Sequence, residues 1–123
     1  MKQNYTTQQL NEIVQLTHPY LYRNNRGSAK TGNGYITYGI PNPPKGRKEE
    51  EHELKGGDWV GFTVINKKAI FTSIETKSKT DRIKQGQVNW HNFVLENGGI
   101  SEIWKHDGKK ITWKTTKEEV NLR

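Results

Sequence analysis

The chain has 123 residues, enough for one domain and short for two. Only 30% of them are apolar, so any core is small and leans on four Trp, five Tyr and three Phe. Lys and Arg outnumber Asp and Glu by 20 to 13, a formal charge of +7; this points to a polyanion, most simply nucleic acid, although acidic membrane surfaces would attract it too. The lack of Cys excludes a disulfide framework and a thiolate zinc site. No apolar run is long enough to span a bilayer and MKQNYTTQQL has no signal-peptide core, so a soluble cytoplasmic protein with no membrane partner is expected.

Taken along the chain, residues 6–17 (TTQQLNEIVQLT) predict a helix, with Thr6 or Thr7 as cap and Leu10, Ile13 and Val14 as its apolar stripe. His18-Pro19 ends or bends it. RNNRGSAKTGNG at 23–34 reads as a basic, glycine-rich loop leading into a short strand, YITYGI, at 35–40. Residues 41–57 carry three Pro, four Glu and three Gly, and 41–54 reads as an exposed insertion whose EEEHEL run is solvated charge. WVGFTVI (59–65) and AIFTSIETK (69–77) are rich in β-branched and aromatic residues and only Asn66-Lys67-Lys68 separates them, which is a hairpin signal. Over 83–97, Ile83, Trp90 and Val94 recur at helical spacing, and Gly98-Gly99 supplies the stop. ISEIWK (100–105) predicts another strand, HDG (106–108) a turn into KKITWKT, and 117–123 a frayed tail. This order predicts a single α/β (α+β) domain over 1–123, with a small mixed β-sheet flanked by helices.

Alternation along the second hairpin strand sends Glu75 and Lys77 to one face and Thr76 to the other. Pairing Ile65 with Lys68 across a two-residue Asn66-Lys67 turn sets Asp58 opposite Glu75. A turn wider by two residues sets it opposite Lys77, and the intermediate register, Ile65 with Ala69, flips it to the other side. In either of the first two registers Asp58, Glu75 and Lys77 share a face. Two carboxylates, the Thr76 carbonyl and waters then suit Mg²⁺ or Mn²⁺, and the lysine could hold a phosphate oxygen or the attacking water. The plainer reading of the same spacing is a hairpin with solvated charges at its open end. Gln87 lies on the Ile83–Trp90–Val94 stripe. Its amide either packs toward the sheet, where it needs polar partners, or bends out to water.

GGDWVG, then a strand ending IETK, then DRIKQGQVNWHNFVLENGGISEIW resemble the virus-type replication and repair nuclease (VRR-NUC) domain of the PD-(D/E)XK nuclease superfamily. The family's pattern falls on Arg23-Asn24-Asn25-Arg26-Gly27, Gly57-Asp58-Trp59-Val60-Gly61, Glu75-Thr76-Lys77, Gln87 and Gly98-Gly99, in order across residues 20–104. The resemblance implies a restriction-endonuclease-like core and a Mg²⁺- or Mn²⁺-dependent DNA endonuclease. Asp58 and Glu75 would be metal ligands with the Thr76 carbonyl, Lys77 the catalytic lysine, and Gln87 a further member of the site. Stand-alone viral and bacterial members look like Holliday-junction resolvases, so branched or flapped DNA is the implied substrate and, for a phage protein, the host cytoplasm its place. The family often adds a glutamate from its first helix. Glu12 is the candidate here, yet its wheel position lies away from the Leu10–Ile13–Val14 stripe.

Arg23, Asn25, Arg26 and Lys30, in and beside the glycine-rich stretch, are the candidates for DNA contact. The +7 charge alone would equally fit a non-catalytic nucleic-acid-binding module, and the aromatic residues an RNA binder that stacks bases. Two symmetric nicks in a four-way junction call for a two-fold homodimer, with Trp104, Trp113, Phe93 and Tyr38 as candidate contact residues.

Overall fold

The structure is a computed structural model and describes residues 4–25, 27–40 and 54–122. Helix α1 (Thr7–Thr17) begins at a reciprocal cap: Thr6 Oγ1 accepts from the Gln9 N–H at 3.1 Å, and Gln9 Oε1 accepts from the Thr6 N–H at 2.9 Å. Strand β1 (Leu21–Arg23) follows, then β2 (Gly27–Thr31), β3 (Gly34–Tyr38), β4 (Trp59–Ile65) and β5 (Lys68–Lys77). Helix α2 (Gln85–Glu96), β6 (Ile100–Lys105), β7 (Lys110–Ile111) and α3 (Lys117–Asn121) complete the order. None of the described helices is long and apolar enough to cross a membrane.

The main sheet has the order β1-β4-β5-β6-β7 and is mixed: β5 and β6 run parallel, joined through α2, and every other pair is antiparallel. This is the expected mixed sheet flanked by helices. Its middle strand, β5, is buried from Thr72 to Thr76, so helices must cover both faces. On one face Leu10 and Val14 of α1 close over Leu21, Trp59, Ile74 and Trp104. On the other, Ile83 and Val88 pack with Ile103, Ile111 and Val120. Each of these aliphatic side chains contributes about 1.5–3 kcal/mol by leaving water.

Three expectations need correction, and one strand is additional. The glycine-rich stretch after Arg23 is not an open loop: Gly27–Thr31 pairs with Gly34–Tyr38 as a separate two-stranded sheet, closed where Thr31 faces Gly34 across Gly32-Asn33. Strand β1 carries no sequence signal, because three residues show no periodicity. The tail is not frayed over 117–121. Thr116 Oγ1 caps α3 by accepting from the Glu119 N–H at 3.2 Å, and Val120 is buried. Trp104 lies in the core at 2% exposure and offers no subunit contact, whereas Phe93 and Trp113 are exposed at 45% and 57%. The insertion proposed at 41–54 falls outside the described residues except for Leu54, and so does the side chain of Tyr38.

The segment after β7 is pinned to α2 by polar contacts. Asn92 Nδ2 donates to the Thr115 carbonyl at 2.9 Å and Asn92 Oδ1 accepts from the Thr115 N–H at 3.0 Å. His91, 2% exposed, spans Ser101 Oγ (2.7 Å, Nδ1) and the Trp113 carbonyl (2.8 Å, Nε2). A carbonyl only accepts, so Nε2 carries the proton and Nδ1 takes the Ser101 hydroxyl proton. Burial lowers the His91 pKa, and the Trp113 carbonyl and the Glu102 charge only partly oppose this. The folded value therefore lies below the unfolded one, about 6.5. The stability this confers is complete above about pH 6.5 and is lost as pH falls through the folded value. Unfolding midpoints in urea, measured from pH 8 to pH 5, should decline over this window, and His91→Gln should decline less steeply.

Candidate active site

The turn decides the geometry. Asn66 (φ 50°) and Lys67 (φ 65°) both take the left-handed conformation, so β4 and β5 close over two residues with Ile65 facing Lys68. The ladder runs on to Trp59 facing Ile74, and Asp58 follows just beyond its end. Of the registers open in the sequence, this is the tight one. The glycines of GGDWVG have a steric role: a Cβ on Gly57 would strike Ser73 Oγ and sit 2.9 Å from the Ile74 carbonyl, and one on Gly61 would strike the Tyr20 carbonyl. Asn24 ties the approach to β4 in place. Its N–H donates to the Asp58 carbonyl at 2.7 Å, and its Nδ2 donates to the carbonyls of Gly57 (3.0 Å) and Ile40 (2.7 Å).

The Asp58 carboxylate is half-buried at the end of the sheet. Its Oδ2 accepts from the Thr76 N–H and lies within hydrogen-bond distance of Thr76 Oγ1, both at 2.9 Å. Because β4 stops at Trp59, the Asp58 side chain takes the place of a strand partner for Thr76. A strand residue directs its N–H and C=O to the same side, so the Thr76 carbonyl faces the same edge as Asp58. Thr76 Oγ1 is also 3.0 Å from Asn11 Oδ1, and that oxygen accepts from Trp59 Nε1 at 2.9 Å. An indole N–H can only donate, which fixes the orientation of the Asn11 amide.

Glu75 is 6% exposed and points toward α2 on the other face of β5, so the expected shared face holds for Glu75 and Lys77 only, because the Asp58 carboxylate is drawn to Thr76. Glu75 Oε1 accepts from Gln87 Nε2 at 2.9 Å and pairs with Lys77 Nζ at 3.4 Å. Gln87 faces inward, as one of its two readings requires. Its Oε1 accepts from the Lys84 N–H at 2.9 Å at the start of α2, so the amide joins the helix end to the carboxylate. A carboxylate buried to this extent needs such donors, since leaving it unpaired costs several kcal/mol by order of magnitude. Lys77 Nζ also donates to the Arg82 carbonyl at 3.5 Å.

Asp58, Glu75, Thr76, Lys77 and Gln87 are thus gathered at one end of β4 and β5. Every donor that Asp58, Glu75 and the Thr76 carbonyl offer is a hard oxygen, the set that Mg²⁺ and Mn²⁺ take. In donor type these residues fit the implied ion, with Asp58 held from the Thr76 side of β5 and Glu75 from the α2 side. Among the described residues no third Asp, Glu, His or Cys joins them. Glu12 is exposed on α1, where its carboxylate accepts from Gln8 Nε2 at 3.3 Å. Asn11 is the α1 residue that reaches Thr76. Arg23, beside Asp58 on β1, lays its guanidinium over the Trp59 ring at 5.4 Å. Asn25 is exposed, Lys30 is exposed on the separate β2–β3 sheet, and Arg26 lies outside the described residues.

Asn11 and Asn24 were not foreseen. Asn11 stands three residues, about 60° of helix rotation, from Val14, so it borders the apolar stripe as Gln87 does on α2, and the same reasoning applied to α1 would have found it. Asn24 carries no such signal. No family model, curated protein or solved structure significantly matches the chain.

Replacing Asn11 with Ala leaves the Trp59 N–H without its acceptor. Asn11→Ala should lower the free energy of unfolding by about 1–3 kcal/mol in a urea titration.

Proposed function

We propose that the chain is a Mg²⁺- or Mn²⁺-dependent DNA endonuclease with a restriction-endonuclease-like core of the VRR-NUC type. The observation that carries the reading is the buried Glu75 carboxylate, held by Gln87 and paired with Lys77, next in the strand to Thr76, whose N–H holds Asp58. A protein that only binds DNA gains nothing by presenting two carboxylates to phosphates. The ordered resemblance to the VRR-NUC pattern and the +7 charge support the same reading.

Asp58, Glu75 and the Thr76 carbonyl would hold the ion, which supplies Lewis-acid polarisation of the phosphoryl group and a lower pKa for water. The protein's own groups do the rest. Thr76 holds Asp58 Oδ2 through its N–H, which orients the carboxylate before substrate arrives. Gln87 does the same for Glu75. The Lys77 ammonium would hold a non-bridging phosphate oxygen and stabilise the charge that grows there as water oxygen bonds to phosphorus and the bond to one sugar oxygen, which takes up a proton, breaks. Arg23, exposed next to Asp58, would bind the strand on the β1 side.

The substrate we favour is branched or flapped DNA in a viral or bacterial replication, recombination or repair step, with the host cytoplasm as its place if the chain is viral. Two chains would act as a two-fold pair, and Phe93 and Trp113 supply exposed aromatic surface for the contact.

Purified protein incubated with labelled duplex, flap, splayed-arm and four-way DNA should cut only with Mg²⁺ or Mn²⁺. Asp58→Ala and Glu75→Ala should each lose about 10²-fold or more of the rate. Lys77→Ala should lose a similar factor yet keep Mn²⁺ binding in calorimetry. Either carboxylate variant cutting at the wild-type rate refutes the site. In EDTA, Asp58→Ala should bind DNA at least as tightly as wild type, with affinity falling steeply in salt for both. A wild-type protein that binds DNA and never cuts it would be the non-catalytic module instead. The two-fold pair predicts paired, symmetric nicks in a four-way junction and a dimer mass by light scattering; a monomer that leaves junctions intact removes the resolvase assignment alone.

A further inference from the structure

A hollow of about 200 Å³ opens beside the site, between the turn after β5, the β6–β7 turn and the end of α3. Lys77 belongs to its wall, so whatever fills it lies next to the group proposed to hold the phosphate under attack. The other lysines and arginine on the wall are Lys79, Arg82 and Lys105, set against the carboxylates Asp81 and Asp107.

Most of these groups are already engaged. Asp81 accepts from Ser78 Oγ at 2.9 Å and Asp107 from the Lys109 N–H at 3.0 Å. Lys105 Nζ donates to the Leu122 carbonyl at 2.9 Å, and His106 Nδ1 meets Asn4 Oδ1 at 2.8 Å. Among the described residues, the Lys79 ammonium and the Arg82 guanidinium make no hydrogen bond or ion pair, though both line the hollow. Arg82 is connected to the site through its backbone, since its carbonyl accepts from Lys77 Nζ. The local field is positive. Burial pushes the Asp107 carboxyl up, but the Lys109 N–H and the charges of Lys105, Lys109 and His106 hold it below the usual carboxylate range.

A concave wall with two unused cations, one of them a planar fork matched to phosphate oxygens, suits a phosphate better than a neutral ligand. We propose that the hollow holds a second phosphate of the bound DNA strand, flanking the one under attack, with Arg82 and Lys79 as its ligands. The proposal rests on the nuclease reading for the path of the strand. Lys79 and Arg82 are positioning residues in it: they set where along the strand the phosphodiester meets Lys77 and the carboxylates.

The test measures binding by fluorescence anisotropy in EDTA. Phosphates of a flap DNA are replaced one at a time by neutral methylphosphonates. In wild type, one position should cost about tenfold in affinity. The variant K79A/R82A, altered at two exposed side chains, should bind unmodified DNA about tenfold or more weakly, with a salt slope lower by about two. At the sensitive position it should lose nothing further. A control lacking two distant cations, K68A/K114A, should keep the sensitive position. A K79A/R82A profile that still shows the wild-type sensitive position overturns the proposal, and so does a wild-type profile with no sensitive position, which would indicate diffuse attraction only. Absence of cleavage with every divalent ion would defeat the nuclease reading, while the positional coupling, measured without metal, would still decide the hollow.

Discussion

The ladder between β4 and β5 governs what the rest of the molecule can do. Closed over Asn66 and Lys67, it sets Trp59 against Ile74 and leaves Asp58 just beyond its end, where the carboxylate meets Thr76. A slip of one residue would turn every side chain of β4 to the opposite face. The core opposes such a slip from the other end. Trp59 and Ile74 share the cluster under α1, while Ser73 and Glu75 face α2 through Trp90 and Gln87. Turn conformation and side-chain packing thus specify one register independently.

Strand β5 is unusual in burying polar groups on both faces. Each has a named helical partner: Ser73 Oγ takes the Trp90 indole proton at 2.9 Å, Glu75 takes the Gln87 amide, and Thr76 meets Asn11. Apolar contacts bring α1 and α2 onto the sheet, and directional bonds then fix their rotation about their own axes. In a chain with so few apolar residues, such bonds bear a larger share of the specificity than they would in a thick core.

The legibility of the sequence followed the length and regularity of each element. Both long helices and the β4–β5 hairpin have enough periodic residues to be read directly, and Gly98-Gly99 ends α2 as expected. The hairpin register stayed open because Asn66-Lys67-Lys68 contains no glycine to mark a two-residue turn. Gly32-Asn33 does mark one, but the polar strand GSAKT beside it has no apolar alternation to confirm a hairpin. Trp104 was expected at a subunit contact and lies in the core instead, since an aromatic on an interior strand suits core and interface equally well. Spacing alone indicated that Glu75 and Lys77 share a face and that Gln87 could turn inward, and both are found. Asn24 was not legible, because its partners are backbone atoms brought near by the fold.

Thr76 carries a single hydroxyl hydrogen and stands between two oxygens, Asn11 Oδ1 at 3.0 Å and Asp58 Oδ2 at 2.9 Å. The hydrogen is therefore shared, and the helix and the acidic centre compete for it. A positive charge brought to Asp58 would make that oxygen a poorer acceptor and release the hydrogen to Asn11, tightening the first helix against the sheet. A change of charge at Asp58 would thus be felt at Asn11 and the seat of the N-terminal helix through one rotatable O–H bond.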